Sequence, residues 1–198
     1  MNEVNSILEE YGIKDLPASA LAETPKENKY FEKVENILML SNQTALDAMK
    51  KKANELGIET QIYFDAVQGE AKIVGIELIK AANPNSILLA GGETIVKVQN
   101  PNGKGGRNQE LVLGALLNNE LSNHVTIAAI NSDGWDNTEF AGAIGDSQTV
   151  QKAVKLGIGS LKLLNENNSF EFFTKVGDGI ITGRLPSNVS DLMIVYKD

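Results

Sequence analysis

The sequence contains no cysteine and only one histidine, His124. The lack of cysteine excludes a disulfide framework, a thiolate nucleophile and a thiolate metal site, and it suits the cytosol. A single histidine excludes a histidine metal cluster. Because His124 stands in a polar approach to a predicted strand, we expect it at the surface, and we expect no Ser-His-Asp triad.

Long apolar runs are also missing. No stretch approaches the roughly 18 uninterrupted apolar residues of a membrane helix, and the acidic N-terminus is unlike a signal peptide. Basic residues are outnumbered, with 18 Lys and Arg against 26 Asp and Glu in 198 residues, a formal charge of −8. This balance argues against a nucleic-acid partner, which requires a basic face. We therefore expect a cytoplasmic protein that binds neither membrane nor nucleic acid.

Apolar runs and helical patterns alternate along most of the chain. Residues 1–30 predict a helix and a linker, and residues 31–198 predict an α/β domain. Strands are expected at residues 37–40, 62–64, 86–90, 94–98, 125–130, 180–181 and 192–196, and helices at residues 4–11, 46–56, 73–82, 108–117, 147–156 and 168–175. Two helical crossovers imply parallel pairing, whereas the alternating run 94–98 is expected to be antiparallel. The predicted fold is a three-layer α/β/α structure with a mixed, mostly parallel sheet.

Polar and glycine-rich segments follow three of the predicted strands. These segments are Ser41-Asn42, residues 91–94 and residues 131–136. Ligands of open α/β sheets collect beyond the carboxyl ends of strands, so we expect the three segments on one rim. Gly91 and Gly92 permit a close backbone approach, and Glu93 can order a cation or a basic side chain. A hairpin turn that merely needs flexibility explains the two glycines equally well.

The segment 103–107 combines three glycines with Lys104 and Arg107 directly before a predicted helix. Free N–H groups at a helix start favour a phosphate or a carboxylate. The segment is not a Walker A loop, because no Gly-Lys-Ser or Gly-Lys-Thr occurs in the chain, so it does not by itself indicate ATP. A hairpin tip with solvated charges is the alternative interpretation.

Asp133 and Asp136 flank Gly134 and Trp135 at the end of a predicted strand. Two carboxylates at this spacing can bind Mg²⁺ or orient a hydroxyl group. They can equally form Asx-type turns, for which Asp-Gly is a common dipeptide. Trp135 is the only tryptophan and covers either a ligand or a neighbouring part of the protein.

Four strings in the same order resemble the motifs of the MOFRL family, which comprises the glycerate 2-kinases. They are Gly-Gly-Glu-Thr at 91–94, Gly-Lys-Gly-Gly-Arg-Asn-Gln-Glu at 103–110, Ser-Asp-Gly-Trp-Asp at 132–136 and Ser-Asn-Val-Ser-Asp at 187–191. Segments 23–26 and 41–46 also resemble the family, so the similarity covers nearly the whole chain. Family members are about twice as long and carry a preceding Rossmann-like domain, so we expect this chain to be their C-terminal half.

The resemblance implies phosphoryl transfer from ATP to the 2-hydroxyl of D-glycerate, with Mg²⁺, together with the missing N-terminal domain or subunit. Arg107 and Asp133 are then the expected catalytic residues, and Asp133 and Asp136 the expected metal ligands. Expected contacts to substrate or phosphate come from Asn42, Gly91, Gly92, Glu93, Thr94, Lys104, Gly105, Gly106 and Asn108. The alternative is a non-catalytic binding or interaction module, favoured by an altered run at 137–139. An apolar surface left by the missing domain would also favour a homo-oligomer.

Overall fold

The computed structural model describes residues 2–14, 16–118 and 124–198. Its contacts divide the chain into two units, Met1–Met39 and Leu40–Asp198. The boundary therefore follows residue 39, whereas the composition of the sequence predicted it at residue 30. The first unit contains helix α1, Asn2–Glu10, and two short 3₁₀ helices, Ala18–Leu21 and Asn28–Tyr30.

The second unit is built from alternating helices and strands. Its helices are α2 (Asn42–Glu55), α3 (Ala71–Ala81), α4 (Arg107–Leu116), α5 (Ser147–Lys155), α6 (Ser160–Asn165) and α7 (Ser169–Val176). Its strands are β1 (Glu59–Val67), β2 (Ser86–Gly92), β3 (Val125–Asn131), β4 (Gly142–Gly145), β5 (Gly179–Ile180) and β6 (Asp191–Lys197). The α/β class is therefore confirmed, and so are all six predicted helices and five of the seven predicted strands.

The six strands form one mixed sheet in the order β1-β2-β6-β3-β4-β5. The prediction of a mostly parallel sheet is wrong. Only the β1–β2 pair is parallel, and the other four described pairs are antiparallel. The physical reason is that β6, the last strand, lies between β2 and β3. Those two strands point the same way, but each pairs with an intervening strand of opposite direction.

Helix α4 lies at the centre of the core. It packs against α3 and against strands β3 and β4, while α2 packs against β1 and β2. Leu111, Val112 and Leu113 are completely buried, although they are consecutive and cover different faces of α4. Every residue of α4 after Arg107 is buried, including the polar residues 108–110, so the helix is enclosed by protein. Arg107 is the first residue of this enclosed helix.

Two predicted strands do not form. Residues 37–40, all described, adopt no regular structure, and their side chains are 60–86% exposed. A short apolar run is compatible with a buried strand, but this one has no strand beside it in the sheet. Residues 94–98 form only an isolated parallel bridge, between Ile95 and Glu70. Among the described residues, no helix has the length and apolar character needed to span a membrane.

Candidate functional site

The register of the sheet brings three loop ends into one row. Asp191, the first residue of β6, pairs with Gly92 at the end of β2 and with Asn131 at the end of β3. The two segments expected to meet at a rim therefore do meet, with the start of β6 between them. The third predicted segment contributes Asn42, whose Nδ2 donates hydrogen bonds to the carbonyls of Val189 at 2.8 Å and Asp191 at 3.1 Å. Asn42 thus anchors the approach to β6.

Arg107, the first residue of α4, reaches this row with its guanidinium. Its Nε donates to Asp191 Oδ2 at 2.6 Å and its Nη2 donates to Asp191 Oδ1 at 3.2 Å, a two-point contact. Asp191 is completely buried. Burial raises the pKa of Asp191 against the opposing effect of the guanidinium. Desolvation lowers the pKa of Arg107, but the carboxylates of Asp191 and Glu93 outweigh it and leave that pKa raised.

A second carboxylate contacts the remaining nitrogen of Arg107. Glu93 Oε1 accepts a hydrogen bond from Nη1 at 2.6 Å, as expected of a glutamate that orders a basic side chain. The Glu93 side chain is 64% exposed, whereas that of Asp191 is 0% exposed. The guanidinium therefore contacts one buried carboxylate, that of Asp191, and one solvent-exposed carboxylate, that of Glu93.

Asp136 caps the N-terminus of α4. Its Oδ1 accepts hydrogen bonds from the backbone and side-chain nitrogens of Asn108, both at 3.2 Å. Its Oδ2 accepts them from the backbone nitrogen of Gln109 at 2.9 Å and the Gln109 side chain at 3.0 Å. A carboxylate has about four lone pairs, and all four are used here. Burial raises the pKa of Asp136, and these hydrogen bonds oppose the increase.

This geometry corrects the prediction of magnesium ligands. Asp136 has no free lone pair to offer a metal ion, so its side chain does not fit Mg²⁺. Asp133 forms the alternative Asx turn, in which Oδ1 accepts from the Trp135 N–H at 2.9 Å. Its Oδ2 also accepts from Asn188 Nδ2 at 3.4 Å. The described residues contain no group of three or more acidic, histidine or cysteine side chains that could hold a metal.

The glycines at 103–106 serve close packing inside the protein. A Cβ on Gly106 would lie 2.0 Å from the Asp136 carbonyl oxygen, and one on Gly105 would lie 2.2 Å from Ser169 Oγ. Similarly, a Cβ on Gly103 would lie 2.2 Å from the Glu166 carbonyl oxygen. Two of the free N–H groups expected at the start of α4 are therefore occupied, because Asp136 accepts hydrogen bonds from them. The segment is packed against its neighbours and is not a solvated hairpin tip.

A cavity of about 750 Å³ opens beside Arg107. Its walls include Thr94, Arg107, Asn131, Trp135 and Asn167, and they extend along the loop 94–106. Thr94 is 1% exposed, and its Oγ1 has no hydrogen-bond partner among the described residues. The wall therefore contains a cationic group and a buried hydroxyl, but it also includes two acidic residues, Glu110 and Asp136. An anionic ligand with several oxygen atoms suits only the part of the wall that Arg107 forms.

Seven of the predicted site residues do not line this cavity: Asn42, Gly91, Gly92, Glu93, Lys104, Asn108 and Asp133. Lys104 Nζ is 3.2 Å from Glu139 Oε2 and 3.8 Å from the centre of the Phe170 ring, and Lys104 does not line the cavity. Gly91 packs against Asn42, since a Cβ there would lie 1.8 Å from Asn42 Oδ1. Asp191, the partner of Arg107, was noted in the sequence only within a motif. The feature that could have identified Asp191 from the sequence is its position, as a carboxylate at the start of a buried strand.

Asn167 is a second residue that the sequence did not single out. Its Oδ1 accepts from the backbone nitrogens of Gln99 at 2.6 Å and Asn100 at 3.2 Å. Its Nδ2 donates to the Lys97 carbonyl at 3.2 Å and to Glu110 Oε2 at 3.1 Å. One side chain thereby fastens the loop 97–100 to helix α4. It fixes one wall of the cavity relative to Arg107.

Known proteins resemble this chain over most of its length. The chain is 35% identical to the glycerate 2-kinase of Pyrococcus horikoshii over 184 residues, covering 87% of this chain and 41% of that protein. It is 33% identical to the D-glycerate 2-kinase of Thermotoga maritima over 202 residues, covering 95% of this chain and 48% of that protein. The chain thus spans about half the length of these curated relatives.

The fold agrees with the same relationship. The crystal structure of the glycerate kinase of Thermotoga maritima matches with a TM-score of 0.85 and 31% identity, over 100% of this chain and 50% of that one. The matched family, MOFRL, covers residues 86–191. That range includes Arg107, Asp136 and Asp191, the residues that organise the start of α4. From this match over more than half of its length, the chain belongs to the MOFRL family.

Proposed function

We propose that this chain is the C-terminal half of a glycerate 2-kinase, which transfers a phosphoryl group from ATP to the 2-hydroxyl of D-glycerate. It would act with an N-terminal domain or subunit that this chain does not contain, in the cytoplasm. The observation that carries the proposal is the Arg107 guanidinium, held by buried Asp191 beside a cavity of about 750 Å³. The relatives named glycerate 2-kinase support the choice of reaction.

Arg107 would stabilise the negative charge of the transferred phosphoryl group or hold the carboxylate of glycerate. Phosphoryl transfer depends mainly on positioning and on charge stabilisation, so a fixed guanidinium is the kind of group it requires. Asp191 contacts two of the three guanidinium nitrogens, and the third, Nη1, contacts only the exposed carboxylate of Glu93 among the described residues. Asp191 is therefore a positioning residue for Arg107.

Additional donors stand near Arg107 in the cavity wall. The backbone amides of Gly106 and Arg107 donate to no acceptor in the described part of the chain, and both residues line the cavity. With the Thr94 hydroxyl, they would hold the oxygens of a phosphate group, including one of ATP. Asp133 remains the proposed support for the attacking hydroxyl. Magnesium neutralises phosphate charge in such reactions, and its ligands would have to come largely from outside this chain.

The test is a chimeric protein in which the N-terminal half of the Thermotoga maritima D-glycerate 2-kinase precedes this chain. We expect 2-phosphoglycerate to form from ATP and D-glycerate. Arg107→Lys keeps the charge but loses the two-point contact with Asp191, so the rate should fall by about 100-fold or more. The control is Lys52→Arg, which also keeps the charge at an exposed residue outside the cavity wall and should change the rate by less than about twofold.

Two results would contradict the proposal. One is a folded chimera that forms no 2-phosphoglycerate. The other is an equal effect of Arg107→Lys and Lys52→Arg, which would mean that Arg107 has no special part in the reaction. Circular dichroism of each variant establishes that the protein is folded. Tight binding of an unrelated partner, unaffected by Arg107→Ala, would favour an interaction module instead.

A further inference from the structure

Two carboxylates of very different exposure share the guanidinium of Arg107. Asp191 is fully buried and contacts Nε and Nη2, whereas Glu93 is 64% exposed and contacts Nη1 through one oxygen at 2.6 Å. Removing Asp191 would leave a charge without its buried partner, which is costly. Removing Glu93 exposes Nη1 to solvent at little cost, because exposed ion pairs are weak. The two carboxylates therefore differ in how easily they are displaced.

Glu93 contacts Nη1, the guanidinium nitrogen that Asp191 does not contact. Of the five guanidinium N–H groups, Asp191 accepts two and Glu93 accepts one, and the Glu93 contact is the one that a ligand can replace without leaving a buried charge unpaired. Glu93 occupies Nη1 with an oxygen anion, the same kind of atom that a phosphate or a carboxylate would supply. Arg107 also lines the cavity, whose wall includes Thr94, a residue with a buried hydroxyl that has no hydrogen-bond partner in the described part of the chain.

We infer that the Glu93 carboxylate is an intramolecular stand-in for an oxyanionic ligand and that binding of this ligand displaces Glu93 from Arg107 Nη1. The inference deepens the proposed function and rests on its assignment of Arg107 as the anion-binding residue. The ligand class is an oxyanion, supplied either by a phosphoryl group or by the carboxylate of the acid substrate. By competing for Nη1, Glu93 raises the dissociation constant of the anion.

The size of the effect follows from the exposure of the pair. A ligand that must first break the Glu93–Arg107 contact binds with an affinity reduced by the fraction of protein in which Arg107 is free. For an ion pair as exposed as this one, that fraction corresponds to a reduction of about two- to fivefold. Glu93→Gln removes the competing charge. The dissociation constant for an oxyanion should therefore fall by about two- to fivefold.

The experiment follows the arginine Nε–H signals of the whole chain by NMR during titration with inorganic phosphate and, separately, with D-glycerate. The sequence contains only two arginines, so two such signals are expected, and Arg107→Lys identifies the signal of Arg107 by its loss. The matched control is Glu55→Gln, which changes the net charge equally and removes an exposed pair with Lys52 on helix α2. We expect tighter binding in Glu93→Gln and unchanged binding in Glu55→Gln. The titrant with the lower dissociation constant identifies the source of the oxyanion.

The outcomes separate the inference from the proposed function. If the Arg107 signal responds but Glu93→Gln binds no more tightly than Glu55→Gln, the displacement of Glu93 is refuted and the anion site stands. Weaker binding in Glu93→Gln also overturns the inference, because Glu93 would then help to hold the ligand. If neither titrant moves the Arg107 signal in any folded variant, the proposed anion site fails as well.

Discussion

Replacing Asp136 by alanine tests whether this carboxylate is a buried helix cap or a metal ligand. The substitution removes the acceptor for the backbone N–H groups of Asn108 and Gln109 at the start of α4. Asn108 and Gln109 are completely buried, so water cannot easily replace the lost acceptor. The Gln109 side chain keeps other partners, namely the Asp136 carbonyl and Thr138 Oγ1.

The expected loss can be estimated from the two backbone donors. An unsatisfied buried donor costs about 1–3 kcal/mol, so two of them cost about 2–6 kcal/mol. Removing a carboxylate whose ionisation is disfavoured by burial offsets part of this loss. We therefore expect Asp136→Ala to lower the free energy of unfolding by about 3 kcal/mol. At this chain length, that corresponds to a decrease in Tm of about 6–12 °C.

The matched control is Asp146, which caps helix α5 in the same way but from a less buried position. Its side chain accepts from the nitrogens of Gln148 at 2.7 Å and Thr149 at 3.1 Å. Loss of an ordinary cap costs about 1 kcal/mol, so Asp146→Ala should lower the Tm far less than Asp136→Ala. Thermal unfolding followed by circular dichroism measures both changes.

The reasoning is refuted if Asp136→Ala costs no more than Asp146→Ala. Magnesium provides an independent check. If Asp136 were a metal ligand, Mg²⁺ would raise the Tm of the original protein by more than that of the variant. We expect the two Mg²⁺ responses to be the same, because all four lone pairs of Asp136 are used inside the protein.

Three further predictions follow from neighbouring residues. Asp191→Asn removes the buried counter-ion of Arg107, which should destabilise the fold by about 3 kcal/mol in urea unfolding and weaken phosphate binding by calorimetry. Burial raises the pKa of Glu110 above its ordinary value of 4.5, because it disfavours the charged carboxylate. The fold is therefore stabilised by protonated Glu110 at low pH, and this contribution is lost as the pH rises through the folded pKa. Glu110→Gln should raise the Tm at pH 7 but not at pH 4, and a larger increase at pH 4 than at pH 7 would contradict this. Gly92 has φ of 147°, and a Cβ there would lie 2.3 Å from Val67 N. Gly92→Ala should therefore lower the free energy of unfolding by more than about 2 kcal/mol in urea unfolding. An unchanged stability would show that the backbone of β1 can move to make room for the methyl group.

Much of the local structure could be predicted because its causes are local. Ser41 caps α2 and forms a capping box with Thr44, a contact between residues only three positions apart. Gly57, with φ of 75°, ends the same region in the left-handed conformation. In contrast, β4 and α6 were missed, because they are only four and six residues long and carry little periodic signal. Short elements depend on the neighbours that they pack against.

The sequence by itself determined the helices and the α/β class and singled out Arg107 as a candidate, since these depend on local spacing and on motifs within one segment. Only the tertiary structure decided that β6 lies between β2 and β3, because strand order depends on which surfaces bury each other. That insertion brings Asp191 to Arg107, 84 residues away in the chain. It was likewise the folded chain that made Asp136 a helix cap. A carboxylate has the same chemistry in any sequence, and the atoms around it decide whether it binds N–H groups or a metal.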